Sequence, residues 1–357
     1  MISKDTLQPE WINKVSAENR KADKILIEKV IRALLLLEGL VQTGLPFVFK
    51  GGSSVMLLQQ NPRRFSIDVD IIVQDKADFD ALFAKFIEGK NFTRFALQER
   101  KTASEINKLH YKYFYAPVHK SNISEDNILL DILIEKSPYK KIIPKDIDLP
   151  FVQQAGAPLQ VSIPSKEDIL GDKLTAFAPN TTGIPYEKSG VSMAMEIIKQ
   201  LYDIGNLFEE ISDIKTVAET FKKIAQTEMK YRKLQGDVKI VLDDILATAL
   251  YLATRGKSGA GDFEALQNGI SQIKAYIFAE SYHIEKGIVH AARAAYLAKL
   301  IETGAGKFIR FENAQQIISW QIEAPLDTKL NRLKKSNPEA FFYWYQIYLL
   351  GKKAGKE

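Results

Sequence analysis

The chain has 357 residues, 46% hydrophobic and 26% charged, which is enough apolar material for a large core and excludes a disordered or fibrous protein. It contains no cysteine, so disulfides, thiolate nucleophiles and cysteine-ligated metal centres are excluded. The formal net charge of +5 favours an anionic partner only if the cations are clustered. The N-terminal segment lacks the apolar core of a signal peptide, and the most apolar run, Ala33–Leu37, is far too short to span a bilayer. We therefore expect a cytoplasmic protein with no membrane partner.

The first half of the chain alternates helix and strand patterns. Apolar residues at helical spacing predict helices at 25–41 and 75–88, and Ser53 or Ser54 is expected to cap a short helix that ends at Leu58. Runs rich in β-branched and aromatic residues predict strands at 45–50, 67–73, 92–98, 109–116 and 128–135. Turn-forming residues at 117–126 indicate a hairpin between the last two, and short extended pieces follow at 144–164. These patterns predict an α+β fold with a mixed β-sheet flanked by helices.

The second half changes to helical patterns. A helix is predicted at 166–178 with Ser165 as its N-cap, followed by a loop at 179–190 and a helix at 191–210. Helical spacing then recurs at 217–229, 238–254, 282–303 and 338–350, with no strand pattern of comparable quality. We therefore predict two domains, an α+β domain over 1–210 and an all-helical C-terminal domain over 211–357.

One group of residues predicts chemistry. Asp68 and Asp70 are two apart on a predicted strand, so their carboxylates are expected on one side. Two such carboxylates repel unless a cation lies between them, and a hard ion such as Mg²⁺, shared with substrate phosphates, removes that conflict. The preceding Gly51-Gly52 would let the backbone approach a phosphate, and the next helix N-terminus adds a positive dipole. Asp131, an acidic residue within an apolar strand, is the candidate third carboxylate of a two-metal site.

The order of these motifs resembles a known superfamily. Gly52-Ser53 followed by Asp68-x-Asp70 is similar to the signature of the DNA polymerase β-like nucleotidyltransferases. The longer string KGGS…RFSIDVD resembles the AbiEii/AbiGii branch, the toxins of type IV toxin–antitoxin systems. Two later segments agree with that branch: residues 167–176 resemble its lysine-bearing helix, and residues 199–204 resemble its Arg-Asp-x-x-Asp segment.

The resemblance implies a metal-dependent nucleotidyltransferase with a nucleoside triphosphate (NTP) as substrate. Asp68 and Asp70 would bind two Mg²⁺ ions, and Asp131 would help to bind the second. The implied nucleotide-binding residues are Lys50, Gly51, Gly52, Ser53, Arg64, Ser66 and Lys173. The implied catalytic residues are Asp68, Asp70, Asp131, Lys173 and Asp203. A nucleotide (NMP) would pass to a nucleic-acid acceptor such as tRNA, and a cognate antitoxin would act without a stable complex.

Two other functions stay open. A nucleotidyltransferase could modify a small molecule or a protein. The chain could also bind a nucleotide or a partner with little turnover, because Lys199-Gln200 stands where the family usually has Arg-Asp, and lysine lacks the bidentate fork of arginine.

Two further sets of residues are ambiguous. Basic and aromatic residues that could grip a nucleic acid, or form a solvated edge strand, run through Arg94, Phe95, Arg100, Lys101, Lys108, Tyr111, Lys112 and Tyr113. The four histidines, His110, His119, His283 and His290, are too scattered for a zinc site and are interpreted as surface or core residues.

Overall fold

The computed structural model describes residues 1–59, 61–98, 108–119, 123–324 and 326–354. They form two compact units, one over 1–165 with 275–281 and the other over 166–274 with 282–357. The first unit is α+β and the second is almost entirely helical, so the mixed architecture is as the sequence predicts. The division at residue 210 stays a prediction about separable domains; by packing alone, residues 166–210 group with the later helices.

Capping side chains help to set where the α-helices of the first unit begin. They are α1 (Pro9–Glu18), α2 (Lys24–Gln42), α3 (Gly51–Leu58) and α4 (Phe79–Ala84). Asp23 caps α2 by accepting hydrogen bonds from the amides of Ile25 and Leu26, which confirms the predicted helix there. The predicted helix at 75–88 is wrong in length, because Asp78 caps α4 through the Ala81 amide and the helix starts only at Phe79.

The central element of the first unit is a five-stranded mixed sheet. Its strands are β1 (Val48–Lys50), β2 (Val69–Val73), β3 (Arg94–Leu97), β4 (Lys108–Tyr115) and β5 (Asp126–Ile134). Their spatial order is β1-β2-β5-β4-β3, in which β2 and β5 are parallel and every other pair is antiparallel. This arrangement confirms the mixed sheet and the β4–β5 pairing, and β6 (Ile142–Asp146) with β7 (Gln160–Pro164) forms a separate antiparallel ribbon.

An aromatic cluster fixes which way β4 faces. The ring of Phe83 on α4 lies 5.0 Å from that of Tyr111 and 5.6 Å from that of Tyr113, centroid to centroid, and both tyrosines are buried. Burial raises the pKa of Tyr111, whose hydroxyl donates to Oδ1 of the exposed Asp80 at 2.9 Å, so the ring packs in the core while its hydroxyl reaches the edge of it. Because side chains alternate along a strand, the even-numbered residues of β4 lie on the opposite face.

This alternation divides the basic and aromatic run noted in the sequence. Tyr111 and Tyr113 pack in the core, and the half-buried Phe95 lies on the same side, with its ring centroid 5.9 Å from that of Phe83. The rings that could stack on bases are therefore turned inward. Lys108 and Lys112 occupy even positions of β4 and lie on the opposite face. Arg100 and Lys101 lie outside the described residues.

The second unit is a helical assembly around α10. Its longer helices are α5 (Lys166–Ala176), α6 (Ala194–Leu207), α7 (Ile214–Tyr231), α8 (Lys239–Ala253), α9 (Phe263–Gln272), α10 (Ile284–Thr303) and α13 (Pro338–Ala354), with short helices α11 (Asp327–Leu330) and α12 (Leu333–Ser336). The helix α5 packs on α6 and α7, and α10 packs on α6, α8 and α13. A two-residue ribbon of β8 (Glu187–Lys188) and β9 (Val191–Ser192) precedes α6, which therefore starts later than predicted. Nowhere in the described chain is a helix both long and apolar enough to cross a bilayer.

Candidate active site

Four polar residues occupy one register row across the sheet of the first unit. Lys50 on β1 pairs with Asp70 on β2, Asp70 pairs with Asp131 on β5, and Asp131 pairs with His110 on β4. Residues in register on neighbouring strands lie on the same face of a sheet. The two carboxylates that the sequence predicted from separate motifs are therefore adjacent, and both side chains are partly exposed.

Asp68 is placed differently from the prediction. The strand β2 begins at Val69 rather than at residue 67, so the alternation of the sheet does not fix the direction of the Asp68 side chain, and its place beside Asp70 stays a prediction. Its backbone carbonyl accepts a hydrogen bond from Ser53 Oγ at 2.5 Å. Ser53 is buried, so it anchors the segment in front of β2, while its predicted contact with phosphate stays a prediction.

The N-terminus of α3 lies directly against this row. The helix starts at Gly51, immediately after β1, with Lys50 as its N-cap; the predicted caps Ser53 and Ser54 are therefore wrong and lie inside the helix. Gly51 has a φ of +79°, and a Cβ there would overlap Asp70 Oδ2. The Asp70 carboxylate therefore lies directly against the Gly51 backbone, in the space that a side chain at this position would occupy. The free N–H groups of this first turn supply positive potential next to the carboxylates.

Arg64 and Ser66 lie over the same turn. A Cβ on Gly52 would come within 2.5 Å of Ser66 Oγ and 2.8 Å of Arg64 Nη2. Arg64 is buried, and its Nη1 donates to the carbonyl of Phe65 at 2.9 Å. The segment is held by residues far along the chain, because Phe65 N donates to the Tyr276 carbonyl at 2.8 Å. No sequence signal predicted that residues 275–281 belong to the first unit.

His110, which the sequence left as a surface or core residue, completes the row and is buried. Its Nδ1 lies 2.7 Å from Asp131 Oδ1. The His110 side chain is 8% exposed, against 27% for Asp131, so the imidazole is the buried partner of a more accessible carboxylate. The alternation of buried tyrosines along β4 was the available signal, since it assigns His110 to the face opposite the core.

Lys173 and Asp203 form an ion pair within the second unit. Lys173 Nζ on α5 lies 2.9 Å from Asp203 Oδ2 on α6, with side-chain exposures of 8% and 3%. The structure thus brings together two residues that the sequence took from separate motifs. Lys199, which departs from the family pattern, pairs with Glu196 at 2.8 Å on the same helix.

The donor atoms of the sheet row fit a hard divalent cation. Within the described residues, no three or more acidic or histidine side chains are grouped to hold a metal ion by themselves, so the three-carboxylate site stays a prediction. Mg²⁺ commonly takes only one or two protein carboxylates and completes its shell with phosphates and water. Asp70 and Asp131 supply that number beside a helix N-terminus that suits a phosphate.

A family model for the nucleotidyl transferase AbiEii toxin of type IV toxin–antitoxin systems matches residues 35–275, well over half of the chain. The chain belongs to the AbiEii nucleotidyltransferase toxin family. This membership confirms the resemblance stated above and makes the chain a nucleotidyltransferase. The AbiEii match runs from within α2 to the start of the 275–281 segment, and it spans every candidate site residue.

Two solved structures show a distant similarity to this AbiEii chain. One is a candidate nucleotidyltransferase from H. pylori, with 13% identity and a TM-score of 0.40, covering 82% of this chain and 96% of that one. The other is an antigenic nucleotidyltransferase-like protein from Paracoccidioides brasiliensis, with 14% identity and a TM-score of 0.35, covering 60% of this chain and 92% of that one. Likeness at this level assigns no site residue. No curated protein matches the chain.

Proposed function

We propose that this chain is a Mg²⁺-dependent toxin that transfers NMP from an NTP to a nucleic-acid acceptor such as tRNA, in the cytoplasm. The observation that carries the proposal is the in-register pair of Asp70 and Asp131 beside the N-terminus of α3. Adjacent carboxylates repel, whereas bound cations and a triphosphate would make the same arrangement favourable.

Residues on or beside β1, β2, β5 and α3 have roles in this proposal. Asp70 and Asp131, with Asp68 in front of β2, would hold two Mg²⁺ ions. Bound Mg²⁺ would neutralise phosphate charge and lower the pKa of the attacking hydroxyl. Lys50 and the first-turn amides of α3 would hold the β- and γ-phosphates.

The remaining predicted residues are divided between the two units. Arg64 and Ser66, which lie over Gly52, would contact the phosphates within the first unit. In the second unit, the catalytic roles of Lys173 and Asp203 rest on the family resemblance, and the ion pair would hold the Lys173 side chain in one orientation.

Positive charge on the face of the sheet that carries Asp70, Asp131 and His110 supports a nucleic-acid acceptor. Lys108 and Lys112 lie on the same face of β4 as His110, and Arg94 on β3 is in register with Phe114 on that face. Lysine and arginine side chains near an active site suit a phosphate backbone. Arg94 also pairs with Glu125, so the two lysines carry most of this argument.

The test is transfer of label from α-³²P-NTP to an acceptor in a cell extract containing Mg²⁺. We expect Asp70→Asn to reduce labelling at least about 100-fold, the upper end of the loss seen when a metal ligand's supporting partner is removed. Asp75→Asn, an exposed aspartate just after β2, is the matched control and should label like the wild type. RNase, but not protease, should remove the label.

Each alternative has its own outcome in this experiment. Label that protease removes would indicate a protein acceptor, and label on a compound resistant to both enzymes would indicate a small molecule. NTP binding seen by calorimetry without pyrophosphate release would indicate a binding module. For the toxin role, wild-type expression should stop growth and Asp70→Asn should not, and co-expressed antitoxin should restore growth without co-purifying. Equal labelling by wild type and Asp70→Asn would disprove the proposed mechanism.

A further inference from the structure

We propose that His110 is a positioning residue that holds Asp131 in the orientation needed to bind a divalent cation. The inference rests on the proposed function, in which Asp131 is a metal ligand. Its direct observation is the 2.7 Å contact between His110 Nδ1 and Asp131 Oδ1 on adjacent strands.

The packing and the register of β4 fix the position of His110. On β4, Tyr111 and Tyr113 are buried against Phe83 on one face, and alternation sends His110 to the other. The backbone is also fixed from the edge of the sheet, because Gln98 N donates to the His110 carbonyl at 2.7 Å. A shift of one residue in β4 would move the tyrosines out of the core, so the register that pairs His110 with Asp131 is strongly specified.

The contact constrains the carboxylate in a defined way. An ionised carboxylate only accepts hydrogen bonds, so we assign a proton to Nδ1, which donates to Oδ1. This bond limits rotation of the Asp131 side chain and leaves Oδ2 to bind a cation. Carboxylates that ligate metals are themselves commonly hydrogen-bonded by such outer partners, and losing one typically costs about 10–100-fold in metal affinity or activity. His110 thus acts through Asp131.

The test compares variants of the full chain that keep or remove the donor. In His110→Asn the amide nitrogen can stand near the position of Nδ1, whereas His110→Leu has no donor and the longer His110→Gln displaces it. His119→Leu is the matched control, since it removes a half-buried histidine of the same unit just beyond β4. Binding of Mn²⁺, used as the probe ion, is followed by electron paramagnetic resonance with a non-hydrolysable NTP analogue present.

We expect His110→Leu and His110→Gln to weaken Mn²⁺ binding about 10-fold and to lower kcat by a similar factor, with the KM for NTP within about 2-fold of wild type. His110→Asn should come within about 3-fold of wild type in both measurements, and His119→Leu should not differ from it. If His110→Leu does not fold, the contrast between Asn and Gln carries the same test. Thermal unfolding of each variant identifies a merely structural effect, which would lower stability without changing the Mn²⁺ affinity of folded molecules.

Two outcomes would overturn the inference, and they are distinguishable. Wild-type Mn²⁺ affinity in folded His110→Leu or His110→Gln would refute the role of His110 alone. If the wild type does not bind Mn²⁺, or if Asp70→Asn binds it as well as the wild type does, the proposed function is refuted, and this inference with it.

Discussion

The two units contain charged clusters built on opposite principles. In the first unit, Lys50, Asp70 and Asp131 are placed by strand register on a partly exposed face, with two like charges side by side. In the second, Lys173 and Asp203 are opposite charges on packed helices, and both are nearly inaccessible to solvent. Similar residue types therefore form an arrangement open to a ligand in one unit and a self-neutralised pair in the other.

This difference predicts that substitutions in the buried pair strongly lower the free energy of unfolding, whereas substitutions of the partly exposed carboxylates lower transfer activity with little effect on stability. Removing one member of a buried ion pair leaves an uncompensated charge in a poorly solvated place, which is strongly destabilising. Removing a partly exposed carboxylate that has neighbours of both signs changes little in the folded state. The free energy of unfolding and the transfer rate should therefore respond differently to substitutions in the two clusters.

The largest expected effect on stability is at the buried pair. Lys173→Met should lower the free energy of unfolding by about 3–5 kcal/mol, because the buried Asp203 carboxylate then loses the cation that pairs with it. The double variant Lys173→Met, Asp203→Leu should regain most of that loss, although transfer activity stays low in both. Urea unfolding measures the change, with exposed Lys188→Met as the control. A single variant as stable as the wild type would show that the pair is not the stabilising element we infer.

An intermediate effect on stability is expected at Gly51, where the backbone of α3 lies against the Asp70 carboxylate. Gly51 and Gly44 have similar positive φ values, +79° and +75°, but a Cβ would overlap the Asp70 carboxylate only at Gly51. Each alanine substitution should cost about 1–2 kcal/mol for the left-handed conformation. Gly51→Ala should lose about 1–3 kcal/mol more from overlap, together with transfer activity, whereas Gly44→Ala should keep its activity. Equal losses of stability in urea unfolding would mean that the first turn of α3 yields easily and does not fix Asp70.

Local patterns predicted much of this fold because they report local physics. The apolar stripe of α2 and the β-branched run of β2 are decided within a few residues, and both were found in the sequence. The placement of Asp70 and Asp131 on one face needed only strand alternation and the correct strand pair. Errors arose where a single side chain decides a boundary, as with Asp78 at α4.

The missing parts of the site depend on contacts between distant segments. Nothing near His110 in the sequence specifies that it pairs with Asp131, because that follows from the register of β4 on β5. The anchoring of Phe65 by Tyr276 joins residues more than two hundred positions apart. Residues that are adjacent only through strand pairing or chain return carry no local signature of that contact, so the sequence alone leaves His110 as a core or surface histidine.

The smallest expected effect on stability is at the proposed metal ligand itself. Asp70 lies between Lys50 and Asp131 in register, so Asp70→Asn removes one attraction and one repulsion, each worth about 0.2–1 kcal/mol. The net change in the free energy of unfolding should stay within about 1 kcal/mol, even though label transfer is lost. Because screening weakens both interactions, the difference from wild type should shrink further in urea unfolding at high salt. A loss well above that size would mean that Asp70 supports the fold, and the contrast with Lys173 and Asp203 would then disappear.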